Sequence, residues 1–239
     1  MNKKIESLLL LLVLQFFTLK AFAITTDTLF LSSNEKGNGI FNIYNNDNSR
    51  LYINTEMVKV DVENGKLKKT DLDKSNVLSW GISVEPGKFI LNPNEVINVG
   101  VKSLCLEDSC KKDYDDIYQI RFMPAETDDN AGEEKQRVNI RFSVAPFFVI
   151  PASPQRVDYN YGYDKEKKMI TFENTGNTFL KIQVDNCTKA DANKNACRSV
   201  YFSLAGTTKH ISLPDHLISE HTIVKVANHD QSIQKQINL

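Results

Sequence analysis

The stretch Val138-Asn139-Ile140-Arg141-Phe142-Ser143-Val144, followed by Ala145-Pro146-Phe147-Phe148-Val149-Ile150-Pro151-Ala152-Ser153-Pro154, decides the fold. Its first half alternates apolar and polar residues at a period of two, the pattern of a strand with one dry face. Its second half is apolar but interrupted by Pro146, Pro151 and Pro154. Proline removes a backbone donor and fixes φ, so this half reads as a stiff joint rather than a strand interior. A strand that ends in a proline joint beyond mid-chain predicts two β domains with a partner-binding edge between them.

Working outward, the chain before the joint is a series of short strands and turns. Gly39–Tyr44 reads as a strand that runs into the turn formers Asn45-Asn46-Asp47-Asn48. Leu51–Val62 is β-rich, and Glu63-Asn64-Gly65-Lys66 reads as a hairpin turn. Val77–Val84, Phe89–Leu91, Val96–Leu106 and Ile117–Phe122 read as further strands. Two stretches read as polar loops, Lys66–Ser75 and the acidic Glu126–Gln136. After the joint, Val157–Tyr161, Met169–Glu173, Phe179–Val184, Val200–Leu204 and Thr222–Val226 read as the strands of a smaller unit, with Asn174-Thr175-Gly176-Asn177 as a turn. Strands at this spacing predict an all-β chain of two immunoglobulin-like sandwiches, residues 24–148 and 154–239, with a joint at 149–153.

The amino terminus predicts export. Lys3 and Lys4 precede the apolar run Leu8–Leu14, and Ala21-Phe22-Ala23 has the small-x-small pattern of a signal-peptide cleavage site, so residues 1–23 read as a signal peptide. The run is shorter than the roughly 20 apolar residues that a membrane span needs. The formal net charge of the whole chain is −1, and nothing in it has the basic footprint of a nucleic-acid binder.

Four cysteines permit three connectivities, but in an exported chain two local pairs predict Cys105–Cys110 and Cys187–Cys197. Each bridge closes a short loop and contributes roughly 2–3 kcal/mol at most. Neither pair has zinc-ligand spacing, and no cofactor is expected. His210, His216, His221 and His229 match no ligand motif. The carboxylate pairs Asp115-Asp116 and Asp128-Asp129 read as loop residues without an apolar pocket to raise a pKa. With no nucleophile elbow and no phosphate loop, the sequence does not read as an enzyme.

Several segments together resemble one family. These are Trp80-Gly81-Ile82-Ser83-Val84-Glu85-Pro86-Gly87-Lys88-Phe89-Ile90-Leu91-Asn92-Pro93, the strand Asp116–Phe122, and the edge Val138–Pro146. The most specific is Thr171-Phe172-Glu173-Asn174-Thr175-Gly176-Asn177-Thr178-Phe179-Leu180-Lys181, followed by a Cys-loop-Cys. In order and spacing they resemble the periplasmic chaperones of chaperone–usher pilus assembly, in the alternate branch that includes the Ecp-type pilus chaperones. The resemblance implies a boomerang of two sandwiches that binds pilus subunits along one edge strand by donor-strand complementation and passes them to an outer-membrane usher. Self-association through the free edge is a further expectation.

The resemblance makes Val138, Ile140, Phe142 and Val144 the donor-strand residues, on one face of the strand. It makes Arg141, then Arg121, then Arg137 the residues that would hold a subunit's terminal carboxylate. A second basic anchor of the better-known branch lies on the first strand, where this chain has Leu29 and Phe30, which leaves a two-residue clamp open. The alternative function is a structural or adhesive pilus component. It would need a donor extension of alternating apolar residues, and Ile24–Ser33 offers only the patch Leu29–Leu31.

Overall fold

Where the sequence alternates at a period of two, the chain is extended and pairs. The computed structural model describes residues 24–105, 112–125, 142–188 and 196–239. Its first ten strands are β1 (Ile24–Thr26), β2 (Phe30–Ser32), β3 (Gly39–Asn45), β4 (Leu51–Glu63), β5 (Lys66–Leu72), β6 (Ile82–Glu85), β7 (Lys88–Leu91), β8 (Val96–Ser103), β9 (Asp116–Pro124) and β10 (Phe147–Ile150). They form two sheets, one in the order β1-β3-β8-β6 and the other β2-β10-β9-β4-β5, with β7 also paired to β4. Phe41, Ile43, Val99 and Val101 of the first sheet meet Ile53, Ile120, Phe122 and Phe148 of the second in one dry layer. Phe122 makes an edge contact with Phe41 at 6.1 Å between ring centroids, a favoured aromatic geometry.

The remaining strands are β11 (Tyr159–Asp164), β12 (Met169–Asn174), β13 (Leu180–Asp185), β14 (Arg198–Ser203), β15 (Thr208–Ser212), β16 (Ile223–Ala227) and β17 (Gln234–Asn238). They form the sheets β11-β12-β15 and β14-β13-β16-β17. A second core lies between these sheets, with Ile170, Phe172 and Ile211 facing Leu180, Ile182, Val224 and Val226. The chain is thus all-β, two immunoglobulin-like sandwiches in series.

Three sequence expectations are corrected, and a fourth falls mostly outside the described residues. Lys66–Leu72 is a strand and not a polar loop. Asn64 and Gly65 both have positive φ (52° and 74°), as a tight hairpin requires, and they carry the register onto β5. β5 was hidden because it is an edge strand exposed on almost every residue, so it carries no alternation. Val77–Ser79 belongs to a 3₁₀ turn, Lys74–Ser79, capped by the Asp73 side chain, and the next strand starts only at Ile82. Phe147–Ile150 is a buried strand where the joint reading placed Val149 and Ile150 outside one. Of the expected strand Val138–Val144, residues 138–141 lie outside the described residues, Phe142 and Ser143 are in no strand, and Val144 forms a single bridge to Phe122.

The disulfide Cys187–Cys197 is present, with a Cα–Cα distance of 5.0 Å. Cys105 is also disulfide-bonded, and Cys110 lies outside the described residues. Among the described residues, no helix is long and apolar enough to cross a membrane.

Candidate functional site

The two borders of the larger amino-terminal sheet differ in kind. β5 ends the sheet on one side, with Lys66 and Lys68 exposed, a composition that discourages pairing with another chain. On the other side β10 is covered by β2, which runs parallel to it. That cover begins where the Leu29 carbonyl accepts from Phe147 N (2.9 Å) and ends where Ser33 N donates to the Val149 carbonyl (2.8 Å). Upstream of Phe147 nothing among the described residues takes its place.

In that uncovered segment the carbonyls of Val144 and Pro146 turn inward and accept from Phe122 N (2.8 Å) and Ile120 N (2.9 Å) of β9. Ser143 and Ala145, at the alternate positions, turn their backbone outward. Among the described residues their N–H groups have no hydrogen-bond partner. The flank of this edge is apolar: Leu29 is 65% exposed and Phe142 53%. Unpaired backbone beside exposed apolar side chains is a template for an incoming strand.

Of the expected donor-strand residues, Val138 and Ile140 lie outside the described residues. Phe142 is exposed, whereas Val144 is half-buried against the protein's own core. Of the expected carboxylate anchors, Arg141 and Arg137 lie outside the described residues. Arg121 is described, and its Nη1 stands 3.0 Å from Asp71 and 3.7 Å from Glu56. Two carboxylates on neighbouring strands therefore already balance its charge.

Next to the edge the two sandwiches are joined by aromatic rings. Phe30 of β2 stacks on Phe202 of β14 at 4.2 Å with the rings nearly parallel, and meets Phe179 edge-on at 4.7 Å. Val60, Ile117, Val149 and Leu204 complete this cluster. Phe30, one of the two residues at the place of the missing basic anchor, is thus committed to the joint.

The polar half of the joint explains the turn Asn174-Thr175-Gly176-Asn177. Asn174 Nδ2 donates to the carbonyls of Thr178 (2.9 Å) and Ser203 (3.0 Å), and its Oδ1 accepts from Gly176 N (3.0 Å). A Cβ on Gly176 would collide with the Arg156 carbonyl and the Asp158 amide, so only glycine fits. Asn177 then reaches across: its Nδ2 donates to the carbonyls of Asp113 (2.8 Å) and Pro154 (2.9 Å).

Asp115 completes the latch, accepting from Ala152 N (2.8 Å) at Oδ1 and from Phe179 N (2.6 Å) at Oδ2. One carboxylate thus ties the approach to β9, the segment after β10 and the turn that leads into β13 of the second sandwich. Burial pushes its pKa up, against the pull of the two backbone N–H donors. Asp115 lies in a loop, as the sequence predicts, but burial there raises its pKa, which the sequence reading did not expect. Sequence separation concealed this, because the apolar neighbours come from Phe179 and its surroundings in the other sandwich. Asp116, one residue on, points elsewhere and pairs with Lys59.

The model of the CS5 fimbrial protein N-terminal domain matches residues 26–151. A curated relative, the "Uncharacterized 25.9 kDa protein in CS5 3'region" of Escherichia coli, is 25% identical over 196 residues, 78% of each chain. Among solved structures, one from a chaperone–tip adhesin complex vital for synergistic activation of CFA/I fimbriae biogenesis has a TM-score of 0.51 at 15% identity, covering 90% of this chain and 97% of that one. That likeness is one of fold. The class 5 fimbriae chaperone CfaA gives a TM-score of 0.49 at 15% identity, over 90% of this chain and 100% of its own. With more than half its residues matched, this chain belongs to the family of the CS5 fimbrial protein N-terminal domain.

Proposed function

We propose that the chain is a periplasmic, non-catalytic chaperone of fimbrial subunits. The carrying observation is the uncovered edge at Phe142–Pro146, apolar in its flank and with the Ser143 and Ala145 N–H groups unpaired, beside the aromatic joint. A pilus subunit that lacks one strand exposes an apolar groove and two unpaired edges, an aggregation hazard. Adding the segment that runs into Val144 would pair those edges and place Phe142, with Val138 and Ile140 before it, in the groove. Val144 stays with the chaperone's own core and ends the donor row. Delivery to an outer-membrane usher, export by residues 1–23 and self-association of the free edge belong to the same reading.

In this reading Arg141, and after it Arg137, holds the subunit's terminal carboxylate by charge-assisted hydrogen bonds. Arg121 falls behind both, because Asp71 and Glu56 already occupy it.

The test is co-expression in the periplasm with a fimbrial subunit of the same gene cluster. Phe142→Asp and Arg141→Ala are expected to fold normally and to recover less subunit than the parent chain. Recovery equal to the parent from both variants would remove this edge from the mechanism.

A further inference from the structure

Pro146 leaves a gap in the ladder between β9 and the edge segment. Its carbonyl accepts from Ile120 N, but it has no N–H to return to β9. Gln119, the residue before Ile120, is a polar side chain only 9% exposed, on the sheet face that carries the apolar joint. Both ends of its amide are used. Oε1 accepts from Lys69 Nζ (2.9 Å), and Nε2 donates to the carbonyl of Ala145 (3.1 Å). This arrangement fixes the amide orientation, since an ammonium only donates and a carbonyl only accepts. The contacts cross the face from β5 to the uncovered edge.

We propose that Gln119 is the positioning residue of this edge, restoring the attachment that Pro146 removes and setting where a partner strand can pair. Ala145 is already held extended by the proline after it, so one contact to its carbonyl fixes the remaining rotation of the segment. With that carbonyl occupied and Phe147 N bonded to Leu29, the groups open to a partner are the Ala145 N–H and the backbone of Ser143. The partner strand therefore stops at Ala145 and does not continue toward the joint. Lys69 bonds only the other end of that amide, and the Ala145 carbonyl by itself already requires the NH₂ to face it. The inference rests on the reading of this edge as the docking strand for fimbrial subunits.

Two variants separate the contacts. Gln119→Glu keeps the shape and the Lys69 partner but sets an oxygen against the Ala145 carbonyl. Lys69→Met keeps the Ala145 contact and removes only the ammonium at the far end of the amide. Both should melt within a few degrees of the parent. In co-purification with a fimbrial subunit of the same gene cluster, Q119E is expected to bind about tenfold more weakly, the scale of one lost hydrogen bond to a fixed partner, and K69M within about twofold. In the free protein, amide exchange at Ile120 and Phe122, which donate to the edge segment, and at Phe147 should quicken in Q119E and not in K69M.

Parent-like binding and exchange in Q119E would overturn the proposal, as would losses that merely follow melting temperature in both variants. If the parent chain itself captures no subunit, the chaperone reading fails, and the exchange comparison in the free protein still decides the role of Gln119.

Discussion

Replacing Asp115 by asparagine tests the latch between the sandwiches. The carboxylate gives one oxygen to Ala152 N and the other to Phe179 N. Asparagine offers one oxygen and an NH₂, so one backbone donor is left facing another donor. A charge-assisted hydrogen bond contributes about 1.5–3 kcal/mol and an unpaired buried donor costs about 1–3 kcal/mol. The variant also escapes the burial of a charge, and the site is only partly buried, so the net loss at neutral pH is about 1–2 kcal/mol. For a chain of this size that lowers Tm by roughly 2–8 °C.

The pH dependence has a definite sign. The folded-state pKa of Asp115 is raised above its ordinary value of 3.8, chiefly by desolvation. The folded chain therefore takes up this proton before the unfolded chain does, and the group's contribution is full below the ordinary value and lost as pH rises through the raised one. Asparagine does not titrate, so the parent's advantage over D115N should widen on acidification through that window. Denaturant unfolding of both proteins at pH 7, 5 and 4 reads this directly. An advantage that narrows toward pH 4 would contradict the raised pKa, and a variant as stable as the parent at pH 7 would refute the latch.

Phe30→Ala removes the stack on Phe202 and the edge contact with Phe179, at a cost of about 2–4 kcal/mol for a half-buried ring. Calorimetry should then show two melting transitions, and a single unchanged one would contradict the aromatic joint. Gly176→Ala forces a Cβ against the Arg156 carbonyl and the Asp158 amide, neither a flexible side chain, so the turn must shift. A loss above about 2 kcal/mol is expected on denaturant unfolding, and a neutral result would show that the turn has room to move. Arg121→Ala should change stability by less than about 1 kcal/mol, because Asp71 and Glu56 are largely exposed, and should leave subunit capture intact. Lost capture in this variant would restore Arg121 as an anchor.

Strands with one dry face were legible from residue order alone. β3, β8 and β13 each alternate because one side lies in a core, and the positive-φ pair Asn64-Gly65 announced its hairpin. β5 was not legible, since a strand at a sheet border has water on both faces and needs no alternation. β10 was hidden by its prolines. Pro146 stands just before the strand, where its missing N–H costs one ladder bond and no more, and Pro151 stands just after it. The site divides in the same way. The exposed Phe142 lies in a stretch whose alternation is visible locally. Asp115, Phe30 and Gln119 take their roles from residues far away in sequence, and no local spacing encodes that Phe202 stacks on Phe30 or that Lys69 reaches Gln119 over β4.

The central claim is that the outward backbone of Ser143 and Ala145 is where a fimbrial subunit pairs. Backbone amide exchange, measured residue by residue on the free chain and on its complex with a co-expressed subunit, tests it most directly. Exchange at these two amides should be fast in the free chain and slow by at least about a hundredfold in the complex, with the Phe147 amide, already bonded to Leu29, little changed. Equal exchange at Ser143 and Ala145 in the free and bound states would contradict the account.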